Sequence, residues 1–192
     1  MNYKLVDNRI EFTDEKLTEN STNMISVIST YKFTKYMEQM PDGISILRSN
    51  ETRYTKLDVK NKYLQGVIYM PSKKDIFNHT RFGYLIFNRN ILFIDSSDTV
   101  INIIEQLRHS SIDMPTIWKF YYHFLNMLID RDLLYLQDIE NSLSTFENNL
   151  LDGGIDEYNQ RDIIYIRKKL FNQYRFYTQL FEIEHKLNEV DH

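Results

Sequence analysis

Residues 134–180 read LYLQDIENSLSTFENNLLDGGIDEYNQRDIIYIRKKLFNQYRFYTQL, two helical patterns on either side of Asp152-Gly153-Gly154. Before the glycines, from residue 115 onward, Tyr121, Leu125, Leu128, Tyr135, Ile139, Leu143, Phe146 and Leu150 recur at steps of three, four or seven, with Asp132 at the one skipped place. After them Ile163, Ile166, Leu170, Tyr174, Tyr177, Phe181 and Leu187 continue the period. This spacing sets apolar side chains along one stripe of a helix. Asp152 and the glycine pair end the first helix, and Asp156 and Glu157 open the second, where the helix dipole favours acids. So short a connection makes the two helices antiparallel. At ~1.5 Å per residue a helix of ~35 residues reaches ~50 Å, about twice the width of a small α/β domain. The hairpin is therefore expected to overhang what precedes it.

Two features of the hairpin call for neighbours. Phe171, Tyr174, Phe176, Tyr177 and Phe181 fall on more than one face of the second helix, whereas a two-helix hairpin buries one stripe per helix, so a third element is expected against them. Charge is also segregated: seven acids and no basic residue lie between Asp132 and Gln160, and Arg161, Arg167, Lys168, Lys169 and Arg175 then face the single acid Asp162. Runs of this kind are usually solvated helix faces. The alternative is that the acidic end, with Glu147, Asp152, Asp156 and Glu157 as candidates, gathers hard cations, which prefer carboxylate oxygens.

The residues before the hairpin mix strands with short helices. Segments 3–6 and 9–12 flank Asp7-Asn8, two residues that tolerate positive φ and suit a two-residue hairpin turn. MISVIS at 24–29 is a short β-branched run, a helix is expected over 31–40, and Pro41-Asp42-Gly43 stops it. Segments 53–59 and 63–70 form one strand pair. Segments 82–87 and 91–95 form another, joined by Asn88-Arg89-Asn90. Ser96 or Ser97 then caps a helix whose apolar stripe is Val100, Ile101, Ile103, Ile104 and Leu107. The order predicts a layered α/β domain over residues 1–112 whose sheet includes antiparallel pairs, followed by the long antiparallel hairpin over 113–192.

Composition excludes several classes. The 192 residues are 42% hydrophobic, enough for a core, and contain no cysteine, which removes disulfides, thiolate metal sites and thiol nucleophiles. Lys and Arg total 23 against 27 Asp and Glu, a net charge of −4 that gives nucleic acid no general attraction. The first residues have no apolar run fit for a signal peptide, and no stretch of about eighteen apolar residues occurs. The chain is thus expected to be soluble, and the sequons at Asn20, Asn50 and Asn78 to be chance matches. Gly43, Gly66, Gly83 and the Gly153-Gly154 pair fit neither dinucleotide nor P-loop spacing, and no serine sits in a Gly-x-Ser-x-Gly elbow. Glu182-x-x-His185 occurs once, where a di-iron bundle needs it twice. His79, His109 and His192 are isolated, and His123, among Tyr121, Tyr122 and Phe124, reads as a packed imidazole. Nothing here predicts an enzyme.

Three segments taken together resemble the cytoplasmic domain of the CorA family of magnesium transporters. FGYLIFNRNILFIDSSD (82–98) matches a strand pair of the type Ile-Leu-x-Lys-Asn-x-Leu-x-x-Phe through Asn90, Leu92 and Phe93. FYYHFLNMLIDRDLLYLQDIENSLSTFENNLL (120–151) matches a helix of the type Leu-x-x-Leu-Ile-Asp through Leu125, Leu128, Ile129, Asp132, Leu136, Ile139 and Leu143. IRKKLFNQYRFYTQLFEIEHKL (166–187) matches the returning helix through Arg167, Lys168, Leu170 and Arg175. The resemblance implies that residues 1–112 form an α/β/α sandwich with a mixed sheet, and that the chain is a non-enzymatic regulatory domain on the cytoplasmic face of the cell membrane. It would sense divalent cations and couple to a pore, with Mg²⁺ as a regulatory ligand and no required cofactor.

The resemblance also implies partners: a stalk helix that covers the hairpin, a membrane domain, and a homopentamer in the full-length protein. The isolated chain is expected to be a monomer or a weak oligomer. The family's Gly-Met-Asn pore motif, stalk and membrane helices do not occur in these residues, so the chain itself is not expected to conduct ions. Its acidic Leu-Glu-Asp-Ile segment has no counterpart in KYMEQMPDGISILRSN (35–50), so the sensor site is not carried onto any residue. The transported ion is left open among magnesium, zinc and other divalent cations. A free-standing helical-hairpin module that docks a partner helix is the competing expectation.

Overall fold

Two hairpins of the sheet are closed by left-handed turn residues. In the computed structural model, which describes residues 1–18, 20–37, 53–130, 132–151 and 157–190, strands β1 (Asn2–Val6) and β2 (Arg9–Phe12) are joined by Asp7 and Asn8 at φ 48° and 64°. Positive φ at both central residues gives the turn whose twist matches that of the strands. The same device joins β6 (His79–Phe87) to β7 (Asn90–Ile94), with Asn88 and Arg89 at φ 46° and 60°. Asn90 was expected within this turn but pairs with Phe87 as the first residue of β7. Its buried amide ties the strand starts together: Oδ1 accepts from Met24 N–H at 3.0 Å and Nδ2 donates to Ser21 O at 2.6 Å.

With β3 (Met24–Ile28), β4 (Lys56–Val59) and β5 (Tyr63–Pro71), these form a seven-stranded sheet in the order β2-β1-β3-β7-β6-β5-β4. Among the described strands only β3 and β7 run parallel; every other pair is antiparallel. The two expected strand pairs are thus one meander, β4 to β7, because β5 also pairs with β6 from Tyr63↔Phe87 to Pro71↔His79. Period-two alternation divides the sheet's faces. Ile25, Val27, Ile68, Phe82, Tyr84, Ile86, Ile91 and Phe93 point to the larger core. Met24, Leu85, Leu92 and Ile94 point to the smaller one, where Phe33 of α1 (Thr30–Met37) covers them with Leu17. The rest of the expected 31–40 helix and its Pro41-Asp42-Gly43 stop lie outside the described residues.

Helix α2 (Thr99–Arg108) buries Val100, Ile103, Ile104 and Leu107 on the larger core. Neither Ser96 nor Ser97 caps it. Asp98 stands at the cap with φ 59° and makes no side-chain cap bond, while Asp95, at the end of β7, accepts from Val100 N–H at 2.8 Å through Oδ2. Its Oδ1 holds Ser97 N–H at 2.7 Å. A carboxylate supplies the negative charge that a helix start favours, so the strand end performs the serine's expected task.

The first long helix is interrupted. Helix α3 (Ile117–Leu128) ends at Ile129, whose N–H turns to Asn126 and Met127 carbonyls, and α4 (Asp132–Leu151) begins three residues later. An offset of nearly one turn preserves the apolar period across the break, which is why the sequence reads as continuous. Helix α5 (Glu157–Val190) runs 34 residues without interruption, a length of ~50 Å. The core continues past residue 112: Ile117, Phe120, Tyr121, Phe124 and Leu128 of α3 and Phe176 and Ile183 of α5 join the sheet's side chains in one cluster. Phe82, Phe93, Phe120 and Phe124 meet there at ring-centroid distances of 4.6–6.4 Å.

Candidate functional site

Antiparallel pairing of α4 with α5 follows from the side chains that meet. Tyr177 Oη donates to Asp132 Oδ2 at 2.6 Å, and farther along the hairpin Lys169 Nζ lies 5.9 Å from the Tyr135 ring centre. Contact thins toward the far end. Ile139 is buried and Leu143 and Phe146 are half-buried, while Ile163 and Ile164 of α5 are exposed. The described far end of the hairpin is thus largely exposed.

Asp132 is the point from which the hairpin departs. It is 6% exposed, forms an ion pair with Lys73, and accepts the Tyr177 hydroxyl, so the helix break, the loop after β5 and the middle of α5 meet on one carboxylate. Lys73 also reaches the Asp130 carbonyl at 3.4 Å, and Tyr165 Oη donates to Lys74 O at 3.2 Å. Burial, and then the Asp132 carboxylate, push the Tyr177 phenol upward, so it remains the donor. The signal for this joint was visible as an acid interrupting an apolar heptad; its partner Lys73, 59 residues earlier in the chain, had no sequence mark.

The sheet supplies part of the third element expected beside α5. Gln173, Phe176 and Ile183 are buried, Gln179 Oε1 accepts from Thr55 N–H at 2.8 Å, and Lys186 Nζ donates to Leu57 O at 3.1 Å. Phe171, Tyr174 and Phe181 nevertheless stay 62%, 70% and 66% exposed. Two apolar surfaces result. One joins Phe77 to Ile164, Leu170, Phe171 and Tyr174 and is edged by Arg167 and Lys168; the other is a groove between α3 and α5 lined by Tyr122, Leu125, Ile129, Leu180 and Phe181.

Of the cation candidates, Glu147 is exposed on α4, as are Asp138 and Glu140. Asp152 and Asp156 lie outside the described residues, as does the whole hinge Asp152-Gly153-Gly154, and of Glu157 only the helical backbone is described. Among the described residues no three His, Asp or Glu side chains gather as a metal site. His123 is half-buried, edge-on to Tyr122 at 5.4 Å, and its pKa is lowered by burial and then by Lys119. His185 is exposed on α5.

A mixed sheet layered between helices and continued by a long helical hairpin is the architecture of CorA-type soluble domains, and the chain has that fold. It superposes on the complete CorA magnesium transporter from Methanocaldococcus jannaschii with a TM-score of 0.72 at 18% identity, over 97% of this chain and 61% of that one. Full-length CmaX gives 0.67 at 14% identity over 97% and 62%, and the ZntB cytoplasmic domain from Vibrio parahaemolyticus 0.66 at 14% over 98% and 78%. The chain thus spans about three fifths of the length of the CorA and CmaX chains. No protein-family model matches it, and no curated protein matches it in sequence. Among the described residues no helix is long and apolar enough to cross a membrane.

Proposed function

We propose that this chain is the cytoplasmic regulatory domain of a CorA-like divalent-cation transporter, with Mg²⁺ as its regulatory ligand and the remainder of the transporter as its partner. The superposition over nearly the whole chain on a magnesium transporter carries this reading. The uncovered aromatics on α5 support it: a hairpin built to stand alone would not expose Phe171, Tyr174 and Phe181 along one helix. In this reading a stalk helix of the same protein lies against the hairpin, and copies of the domain assemble around a pore. Carboxylates crowded where copies meet repel one another, and bound Mg²⁺ offsets the repulsion, shifting the population toward the closed arrangement. The acidic end of the hairpin, with Glu147, Asp152, Asp156 and Glu157, is the proposed place of contact with the cation.

Thermal melting of the 192-residue chain tests the regulatory part. Millimolar Mg²⁺ is expected to raise the melting temperature above that in a sodium salt of equal ionic strength, and Glu147→Gln combined with Asp156→Asn to reduce the difference. Equal melting temperatures in the two salts would leave the hairpin end as a solvated surface and remove Mg²⁺ as a ligand of the isolated domain.

A further inference from the structure

Between the end of β5, the start of β6 and the middle of α5 lies a cavity of about 250 Å³ that the transport reading does not use. Its polar wall is cationic. Arg53, His79, Asn172, Arg175 and Gln179 line it together with the buried Phe176, and among the described residues no aspartate or glutamate does. Neither arginine forms an ion pair or hydrogen bond with any described residue, although the chain has more acids than bases. Among the described residues, the acid in the adjoining loop is turned to its own backbone and neighbours. Asp75 is held in its own loop, Oδ1 accepting from Phe77 N–H at 2.9 Å and Oδ2 from Asn78 Nδ2 at 2.7 Å.

The donors are set by the fold. His79 stacks on Tyr69 with ring centroids 4.3 Å apart, across the β5–β6 pairing, which fixes its ring plane. Gln179 gives its oxygen to Thr55 N–H, leaving its amide hydrogens outside that bond. Two guanidinium groups with no carboxylate partner among the described residues, beside an imidazole and side-chain amides, match the charge and the several acceptor oxygens of a phosphoryl group. We propose that this cavity binds a small phosphate-bearing anion, Arg53 and Arg175 holding its oxygens and Phe176 closing the apolar side. This site is independent of the cation site proposed above. Occupancy would tie α5 to the β5–β6 loop that carries Lys73, and so to the base of the hairpin.

The test is melting of the 192-residue chain in inorganic phosphate, in AMP, and in chloride of matched ionic strength. At about ten times its Kd, phosphate is expected to raise the melting temperature by roughly 3–6 °C over chloride. Arg53→Ala and Arg175→Ala, both at exposed positions, are expected to abolish the rise, and Arg167→Ala, on the same helix but outside the cavity, to retain it. A larger rise with AMP than with phosphate assigns the phosphoryl group to a nucleotide, and an equal or smaller one to the free oxyanion. No rise beyond chloride with either ligand, or a rise that survives both cavity arginine substitutions, overturns the proposal.

Discussion

Replacing Asp132 by alanine is expected to lower the melting temperature by roughly 5–10 °C, from a loss of about 2–3 kcal/mol in a domain of this size. The loss comes less from the ion pair than from what its removal leaves behind. Lys73 loses its counter-charge, and the Tyr177 hydroxyl loses its acceptor inside a half-buried contact. The Lys73 side chain is 35% exposed and can turn to water, which holds the figure below that for a fully buried pair. Asp132→Asn keeps an acceptor for Tyr177 and should cost about half as much, and Tyr177→Phe about 1 kcal/mol. Combining Tyr177→Phe with Asp132→Ala should cost less than the sum of the two, because they share one contact.

The pH dependence of this joint has a definite sign. Burial and the neighbouring carboxylate raise the Tyr177 pKa in the folded state. The stability contributed by the neutral phenol is therefore complete below the unfolded value near pH ~10 and is lost as pH rises through the higher folded value. Asp132→Ala should shrink that alkaline loss as well as the stability at neutral pH.

Gly66→Ala is expected to destabilise by about 3 kcal/mol, or roughly 6–12 °C, reversing the sign of an ordinary strand substitution, which gains about 0.5–1 kcal/mol over glycine. A Cβ at Gly66 would stand 2.3 Å from Cζ and Oη of Tyr84 and 2.5 Å from the Lys56 carbonyl oxygen. Gly66 and Tyr84 face each other across β5 and β6, so the tyrosine ring lies over the glycine. The ring cannot swing aside: it is wholly buried, with the Tyr121 ring 5.2 Å away. The carbonyl belongs to the β4–β5 pairing and moves only if that strand does. Tyr84→Phe in the alanine background removes the hydroxyl clash alone and should recover part of the loss. A neutral or stabilising Gly66→Ala would show that β4 is free to shift, contrary to this packing.

What could be read from the chain was whatever is local and periodic. Alternation, short apolar or β-branched runs and turn residues placed the seven described strands, and Asp7-Asn8 stated its turn, because the information for each lies within a few residues. The pairing of β5 with β6 was hidden behind a loop from Ser72 to Asn78 that carries no hairpin signal. The cap of α2 was misassigned because Asp95 looked like the end of a strand and serines stood closer to the helix. The break before α4 was hidden by a preserved period, although the misplaced acid at Asp132 marked it. Phe176 was read as needing a third helix when the edge of the sheet covers it, a contact between residues more than a hundred apart that no local pattern encodes. The cationic cavity joins Arg53 to Arg175 on the same principle, through folding alone.

Divalent-cation flux through the complete gene product, purified into liposomes that report Mg²⁺ or Zn²⁺ entry, tests the proposed function most directly. The account predicts entry of at least one of these ions down its gradient, slowed when Mg²⁺ is present on the side that carries this domain. No entry of either ion from a protein that is folded and inserted, or a gene product that ends at residue 192 without any membrane segment, would contradict it and favour the hairpin as a docking module.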